Sequence, residues 1–335
     1  MPEVTGYHRP MSVPSTSRVQ IAVLDDYQNV ALQMADWSAV AQRADITVFN
    51  DHEADPGRLV ECLAPFDVLF VMRERTPLPR SIIERLPKLR MIASTGPFNA
   101  SIDMAAAEEH GIHVGTTGGT VASTVELTWA LILAGSRNLV DESLSVRDGG
   151  WQTSVGRELA GRTLGILGLG RIGARVARIG EAFGMTVIAW SQNLTPEAAT
   201  EVGASHVTKE ELFASSDVLT IHLKLSERST GIVGATELAL MKPTALLVNT
   251  SRGPIVAESA LVEALTARTI RGAALDVFDT EPLPPDHPLR RLDNVLATPH
   301  IGYVADRPYR IFFRDAVAAI SDWLATNAQL AFGSC

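Results

Sequence analysis

Arg252 stands in Asn249-Thr250-Ser251-Arg252-Gly253, Glu281 follows Leu275-Asp276-Val277-Phe278-Asp279-Thr280, and His300 stands in Thr298-Pro299-His300-Ile301-Gly302. Each comes just after a short apolar run that reads as a strand. That places all three at the carboxyl edge of a parallel sheet, where open sheets bind ligands. An arginine there can hold a carboxylate through a bidentate pair. A histidine can take a hydroxyl proton as hydride leaves the same carbon, and can return it in the reverse direction. A glutamate beside it stabilises the imidazolium. Each residue also has a plainer reading. Arg252 fits a structural ion pair, His300 a satisfied loop residue before a glycine turn, and Glu281-Pro282 the start of a surface loop that continues through Pro284, Pro285 and Pro288. Spacing alone leaves both readings open.

The element that must position these groups is the stretch 161–177, GRTLGILGLGRIGARVA. Thr163–Leu167 is an apolar run suited to a strand buried on both faces. Gly168, Gly170 and Gly173 form G-x-G-x-x-G, with Arg171 and Ile172 between them at the start of a helical pattern. The first glycine permits the tight turn, the second lets a pyrophosphate approach the backbone, and the third lets helix and strand pack. The helix start offers unpaired N–H groups to that phosphate. A strand before, a helix after and a further strand at Thr186–Trp190 make this a dinucleotide site, with Gly168, Gly170, Arg171, Ile172 and Gly173 as its expected contacts.

Strands and helices alternate on both sides of this stretch. Strands are expected at 19–24, 46–49, 68–72, 91–93 and 113–114, and after the glycine loop at 186–190, 218–221, 245–249, 273–276 and 295–297. Helices are expected at 30–40, 57–63, 79–86, 103–109 and, at the end, 309–326. The fold class is therefore α/β, with two doubly wound parallel-sheet domains. The last helix is long enough to return to the first domain, which makes the cofactor domain an insertion and puts the ligand between the two. The expected division is 1–104 with 300–335 for the substrate domain and 105–299 for the dinucleotide domain. The stretch 123–136 is apolar nearly all round and reads as a helix buried on several sides. The more polar stretch 138–161, with Trp151, reads as an arm over a neighbouring surface.

At 335 residues, 46% hydrophobic and 20% charged, the chain has an ordinary globular composition and room for two cores. A net charge of −9 without any Lys/Arg cluster argues against nucleic acid. No apolar run reaches membrane-spanning length, and no metal is expected. Cys62 and Cys335 are the only cysteines, which suits a reducing cytoplasm rather than a disulfide framework. Residues 1–18 are polar, carry Pro10 and Pro14, and read as a loose tail. The expected partners are a small molecule and a second copy of the chain.

With these residues in place, the chain resembles the D-isomer-specific 2-hydroxyacid dehydrogenases from about residue 19 to 324. The specific segments are GRTLGILGLGRIGARVA, LLVNTSRGPIVAESALVEAL, AALDVFDTEPLPPDHPL and ATPHIGY. The resemblance implies a Rossmann cofactor domain inserted in a flavodoxin-like substrate domain, and a homodimer formed through the cofactor domain. It implies hydride transfer between NAD and a 2-keto or D-2-hydroxy acid, with Arg252 on the substrate, Glu281 assisting and His300 as acid/base. It also implies that Asp276 bonds the nicotinamide carboxamide. Glu281 separates the chain from formate dehydrogenases, which carry Gln there. Two departures matter. The family clamps the substrate carboxylate with successive backbone N–H groups before Ile102-Asp103, yet here the loop is Ser94-Thr95-Gly96-Pro97-Phe98-Asn99, and Pro97 has no N–H. Gly96, Phe98 and Asn99 remain, and Arg73 offers a further cation. At the ribose, Ser191 replaces the usual acid, so NAD is favoured narrowly and NADP is allowed. Two alternatives stay open: a dinucleotide-sensing, corepressor-like binding protein, and a relative whose substrate is not a simple 2-hydroxy acid.

Overall fold

The structure is a computed structural model and describes residues 18–327. The expected tail at 1–18 (apart from Arg18) and Cys335 lie outside the described residues. The chain folds as two compact units: one runs to Thr120 and resumes at Asp306, and the other is Val121–Ala305. The insertion expected from the last helix is present. The boundary expected at 104/105 moves to 120/121, because the strand His113–Thr116 pairs with Met91–Ser94 in the first sheet. The return expected at 299/300 falls at 305/306.

In the first unit, β1 (Val19–Val23), β2 (Ala44–Val48), β3 (Val68–Val71), β4 (Met91–Ser94) and β5 (His113–Thr116) form a parallel sheet of order β2-β1-β3-β4-β5. This is the flavodoxin-like order. The inner strands β3 and β4 are buried throughout while the edge strands are not, as expected of a sheet covered on both faces. The helix expected at 30–40 is two short turns, Ala31–Met34 and Ser38–Ala41. The Asp36 carboxylate accepts the Ser38 N–H at 2.9 Å and restarts the chain there, and the Trp37 indole folds back onto the Ala31 carbonyl. The helix Asp306–Thr326 packs in this unit. Its Phe313, fully buried, stacks on Phe70 of β3 with centroids 4.9 Å apart, and truncating such a ring to alanine costs about 3–5 kcal/mol.

In the second unit, β6 (Thr163–Leu167), β7 (Thr186–Trp190), β8 (Ser205–His206), β9 (Val218–Ile221), β10 (Leu246–Asn249), β11 (Gly272–Leu275) and β12 (Val295–Ala297) form a parallel sheet of order β12-β11-β10-β9-β6-β7-β8. Counted from β6, this is the Rossmann order with one extra strand. Side chains alternate between its two cores: Leu246 and Val248 face one, Leu247 the other. The helix Ala122–Arg137 buries Val125, Trp129, Leu131 and Ile132 in the first of these cores, with Leu246 and Val248. The stretch expected as an arm begins with a helix, Leu139–Arg147, that buries no residue.

Candidate active site

The glycine loop joins β6 to the helix Arg171–Ala182. Gly168 has φ +105°, and a Cβ there would lie 2.8 Å from the His222 carbonyl carbon and the Leu223 nitrogen. Only glycine meets both demands. Gly170 caps the helix without any side chain bonding the first turn, and a Cβ on it would meet no protein atom within 4 Å. The turn therefore offers bare N–H groups at the positive end of a three-turn helix, with room for a pyrophosphate. Arg171 is exposed and Ile172 half-buried at this start. Ser191 follows β7 directly, half-buried, and no carboxylate stands at 191–193. The residues present fit an NAD dinucleotide.

Arg252, Glu281 and His300 all belong to the second unit, after β10, β11 and β12 respectively. His300 Nδ1 lies 2.6 Å from Glu281 Oε2, and Glu281 Oε1 accepts the Phe278 N–H at 2.9 Å. The carboxylate is thus pinned by its own turn and aimed at the imidazole. The hydrogen-bond pattern assigns the proton to Nδ1, so Nε2 is the nitrogen left to exchange a proton with a reactant. The Glu281–Pro282 peptide is cis. Arg252 is half-buried, with Nη1 on the Ser251 carbonyl at 2.6 Å. Its turn is braced by Asn249, fully buried, whose Nδ2 donates to the Arg252 carbonyl and whose Oδ1 accepts the Ser251 N–H. Gly253 is seated against the Phe278–Asp279 peptide, where a Cβ would fall 2.5 Å from the Asp279 nitrogen. The Arg252 segment and the Glu281 turn are therefore in direct backbone contact.

His300 sits at φ +52°, an uncommon conformation for a residue with a Cβ. Asp276 holds it there. One carboxylate oxygen accepts Thr298 Oγ1 at 2.6 Å and the Ile301 N–H at 2.8 Å, and the other accepts the Gly302 N–H at 2.8 Å. Asp276 is fully buried. Burial pushes its carboxyl above the usual range, against the opposing pull of Thr298, Ile301, His300 and Gly302. The side chain of which a nicotinamide contact is expected therefore also organises the turn that carries His300. The Tyr303 ring packs edge-on to the His300 imidazole, with centroids 5.3 Å apart.

The loop after β4 lies in the first unit. Phe98 is exposed. Gly96 is not available as expected, because its N–H donates to Thr117 Oγ1 at 2.7 Å. Asn99 is also reassigned. It is buried, its Nδ2 donates to the Arg73 carbonyl and Ser94 Oγ, and its Oδ1 accepts from Ser101, so it braces the loop. Arg73 lies across Gly96, with Nη1 donating to the Thr95 carbonyl at 3.1 Å, and its own φ is +53°. Asn249, Thr117 and the Asp276 clamp escaped the sequence reading, since each acts through backbone groups of a turn whose shape no spacing announces. Among the described residues no group of three metal-binding side chains occurs, and no helix is long and apolar enough to cross a membrane.

Residues 129–302 match the NAD binding domain of the D-isomer specific 2-hydroxyacid dehydrogenases. A glyoxylate reductase of Aeropyrum pernix is 45% identical over 229 residues, spanning 65% of this chain and 68% of that protein. A hydroxypyruvate reductase of Thermotoga maritima is 35% identical over 293 residues, spanning 85% and 92%. The crystal structure of a phosphoglycerate oxidoreductase from Vibrio cholerae matches with a TM-score of 0.87 at 41% identity, covering 92% of this chain and 99% of that one. Two parallel sheets in flavodoxin and Rossmann order, a glycine loop at a bare helix start, and a histidine–glutamate pair beside an arginine turn accompany these likenesses. The chain belongs to the D-isomer specific 2-hydroxyacid dehydrogenase family.

Proposed function

We propose that the protein reduces a 2-oxo acid to the D-2-hydroxy acid, and runs the reverse, with His300 as the acid/base. The observation that carries this reading is the 2.6 Å pair between His300 Nδ1 and Glu281 Oε2. It orients the ring so that Nε2 can deliver a proton to the carbonyl oxygen of the substrate, while Glu281 stabilises the charged imidazolium. Bound NAD(H) supplies or accepts the hydride. The Gly168, Gly170 and Gly173 turn with Arg171 and Ile172 holds the pyrophosphate, and Ser191 faces the ribose. Arg252 pairs with the substrate carboxylate. In the first unit we assign substrate contacts to the Phe98 N–H and to Arg73, since Pro97 has no N–H and that of Gly96 is engaged by Thr117.

Ser191 neither repels a 2′-phosphate nor attracts one, so we assign NAD with NADP tolerated. The exposed apolar residues Leu139, Val140, Leu144, Val146, Trp151 and Val155 support a homodimer, because monomers seldom leave such a stripe in water. We place the protein in the cytoplasm on its cysteine usage. The test is absorbance of reduced nicotinamide against a panel of 2-oxo acids, with D- and L-hydroxy acids in reverse. Turnover restricted to the D-series is expected. Cofactor binding without turnover on any acid would favour a dinucleotide sensor instead.

A further inference from the structure

The connection from Asp279 to Arg290 carries Glu281, and it is tied to the segment downstream of Arg252 by a side-chain pair separate from Arg252, Glu281 and His300. His287 Nε2 lies 3.0 Å from Oε1 of Glu258, the residue that opens the helix Glu258–Thr266 just downstream of Arg252. His287 Nδ1 accepts the Leu289 N–H, so the ring proton sits on Nε2 and points at the carboxylate. Both side chains are mostly buried, at 15% and 28% exposure. The connection is also cross-linked within itself. Arg290 donates to the carbonyls of Pro284 and Leu283, at 2.8 and 2.5 Å, and the His287 N–H donates to Pro284. Four prolines (Pro282, Pro284, Pro285 and Pro288) fix φ along it. A constraint applied at 287 therefore reaches 281 instead of dissipating in a flexible loop.

The same two segments meet a second time where Gly253 sits on the Phe278–Asp279 peptide. One contact alone is a pivot; a second leaves only rotation about the line joining the two. We propose that the His287–Glu258 pair is a positioning device that locks the Glu281 loop and the Arg252 segment in register, holding the carboxylate against His300. This rests on the roles given above to Arg252, Glu281 and His300. Neither His287 nor Glu258 touches the reacting atoms.

The test uses the full chain with NADH and the best 2-oxo acid. His287→Asn keeps an acceptor for the Leu289 N–H but cannot reach Glu258, and Glu258→Ala removes the other partner. Each is expected to lower kcat about tenfold with KM for NADH unchanged, and the double variant to lose no more than either single. Glu258→Gln keeps the accepting oxygen and should restore most of the rate. Independently of turnover, the ¹⁵N resonances of the His300 imidazole should shift in His287→Asn and Glu258→Ala and stay in place in Glu258→Gln. Unaltered kcat with unmoved His300 resonances, or losses that add in the double variant, would overturn the proposal. A wild type that turns over no 2-oxo acid refutes the functional reading, and the imidazole resonances then decide the positioning claim alone.

Discussion

Gly253→Ala probes the tightest backbone contact in the site. A Cβ there would overlap the Phe278 carbonyl and stand 2.5 Å from the Asp279 nitrogen, and ordinary contact begins near 3.4 Å, so the Phe278–Asp279 peptide must retreat by at least about 0.9 Å, and by more at the carbonyl. No flexible side chain is available to give way, because the opposing atoms are backbone. The Phe278 N–H, on the adjoining peptide, is the donor that pins Glu281 Oε1, so the displacement passes through Phe278 to the carboxylate facing His300. A misplacement of about 1 Å in a catalytic group can cost about a hundredfold in rate, which corresponds to about 2.7 kcal/mol of transition-state stabilisation. The assay is kcat/KM for the 2-oxo acid by NADH absorbance, alongside NADH affinity by fluorescence and a thermal melt to establish that the variant is folded. We expect a loss near that size with NADH affinity retained. A folded variant with wild-type kcat/KM would refute the idea that this contact sets the catalytic geometry.

Three further outcomes are expected. Ser191→Asp should raise the NADH-to-NADPH ratio of kcat/KM, by about tenfold or more for one added carboxylate beside a 2′-phosphate; an unchanged ratio would move the ribose site elsewhere. Arg73→Met should raise KM for the 2-oxo acid while leaving NADH affinity alone, and an unchanged KM would remove Arg73 from the carboxylate clamp. His222 is held near a pKa of about 3 by burial, well below 6.5. Between those values the unfolded chain binds a proton there that the folded chain does not, so this site costs stability as pH falls, by at most about 1.4 kcal/mol per pH unit. Urea titrations at pH 7.5 and 5 should show a smaller acid loss in His222→Gln than in wild type, and parallel losses would contradict the assignment.

The parts legible in sequence are those written in local pattern. Apolar runs four or five residues long marked the buried strands, and the spacing Gly168, Gly170, Gly173 marked the turn, because only glycine tolerates φ +105° against the His222 backbone. Arg252, Glu281 and His300 were findable because each follows a strand. The two-residue strand Ser205–His206 was not, being polar and too short for any periodicity. The domain boundary was misplaced because β5 is a short edge strand, partly exposed, and its membership in the first sheet depends on pairing rather than composition. Asn99 is singled out by its place in the substrate loop, and Asp276 by the family resemblance. The bracing bonds both make follow from the direction of backbone N–H groups in the neighbouring turns, and side-chain identity carries no record of that. The His287–Glu258 tie joins residues on different elements, and neither one signals the other.

The most direct test of the account is His300→Ala assayed at saturating NADH with the best 2-oxo acid, with NADH affinity measured in parallel. Because a positioned acid/base contributes roughly a hundredfold to ten-thousandfold, kcat should fall by at least about that lower figure while NADH binds as before. Turnover at the wild-type rate in this variant would contradict the account, since the proton would then have to come from a group other than the imidazole that Glu281 holds in place.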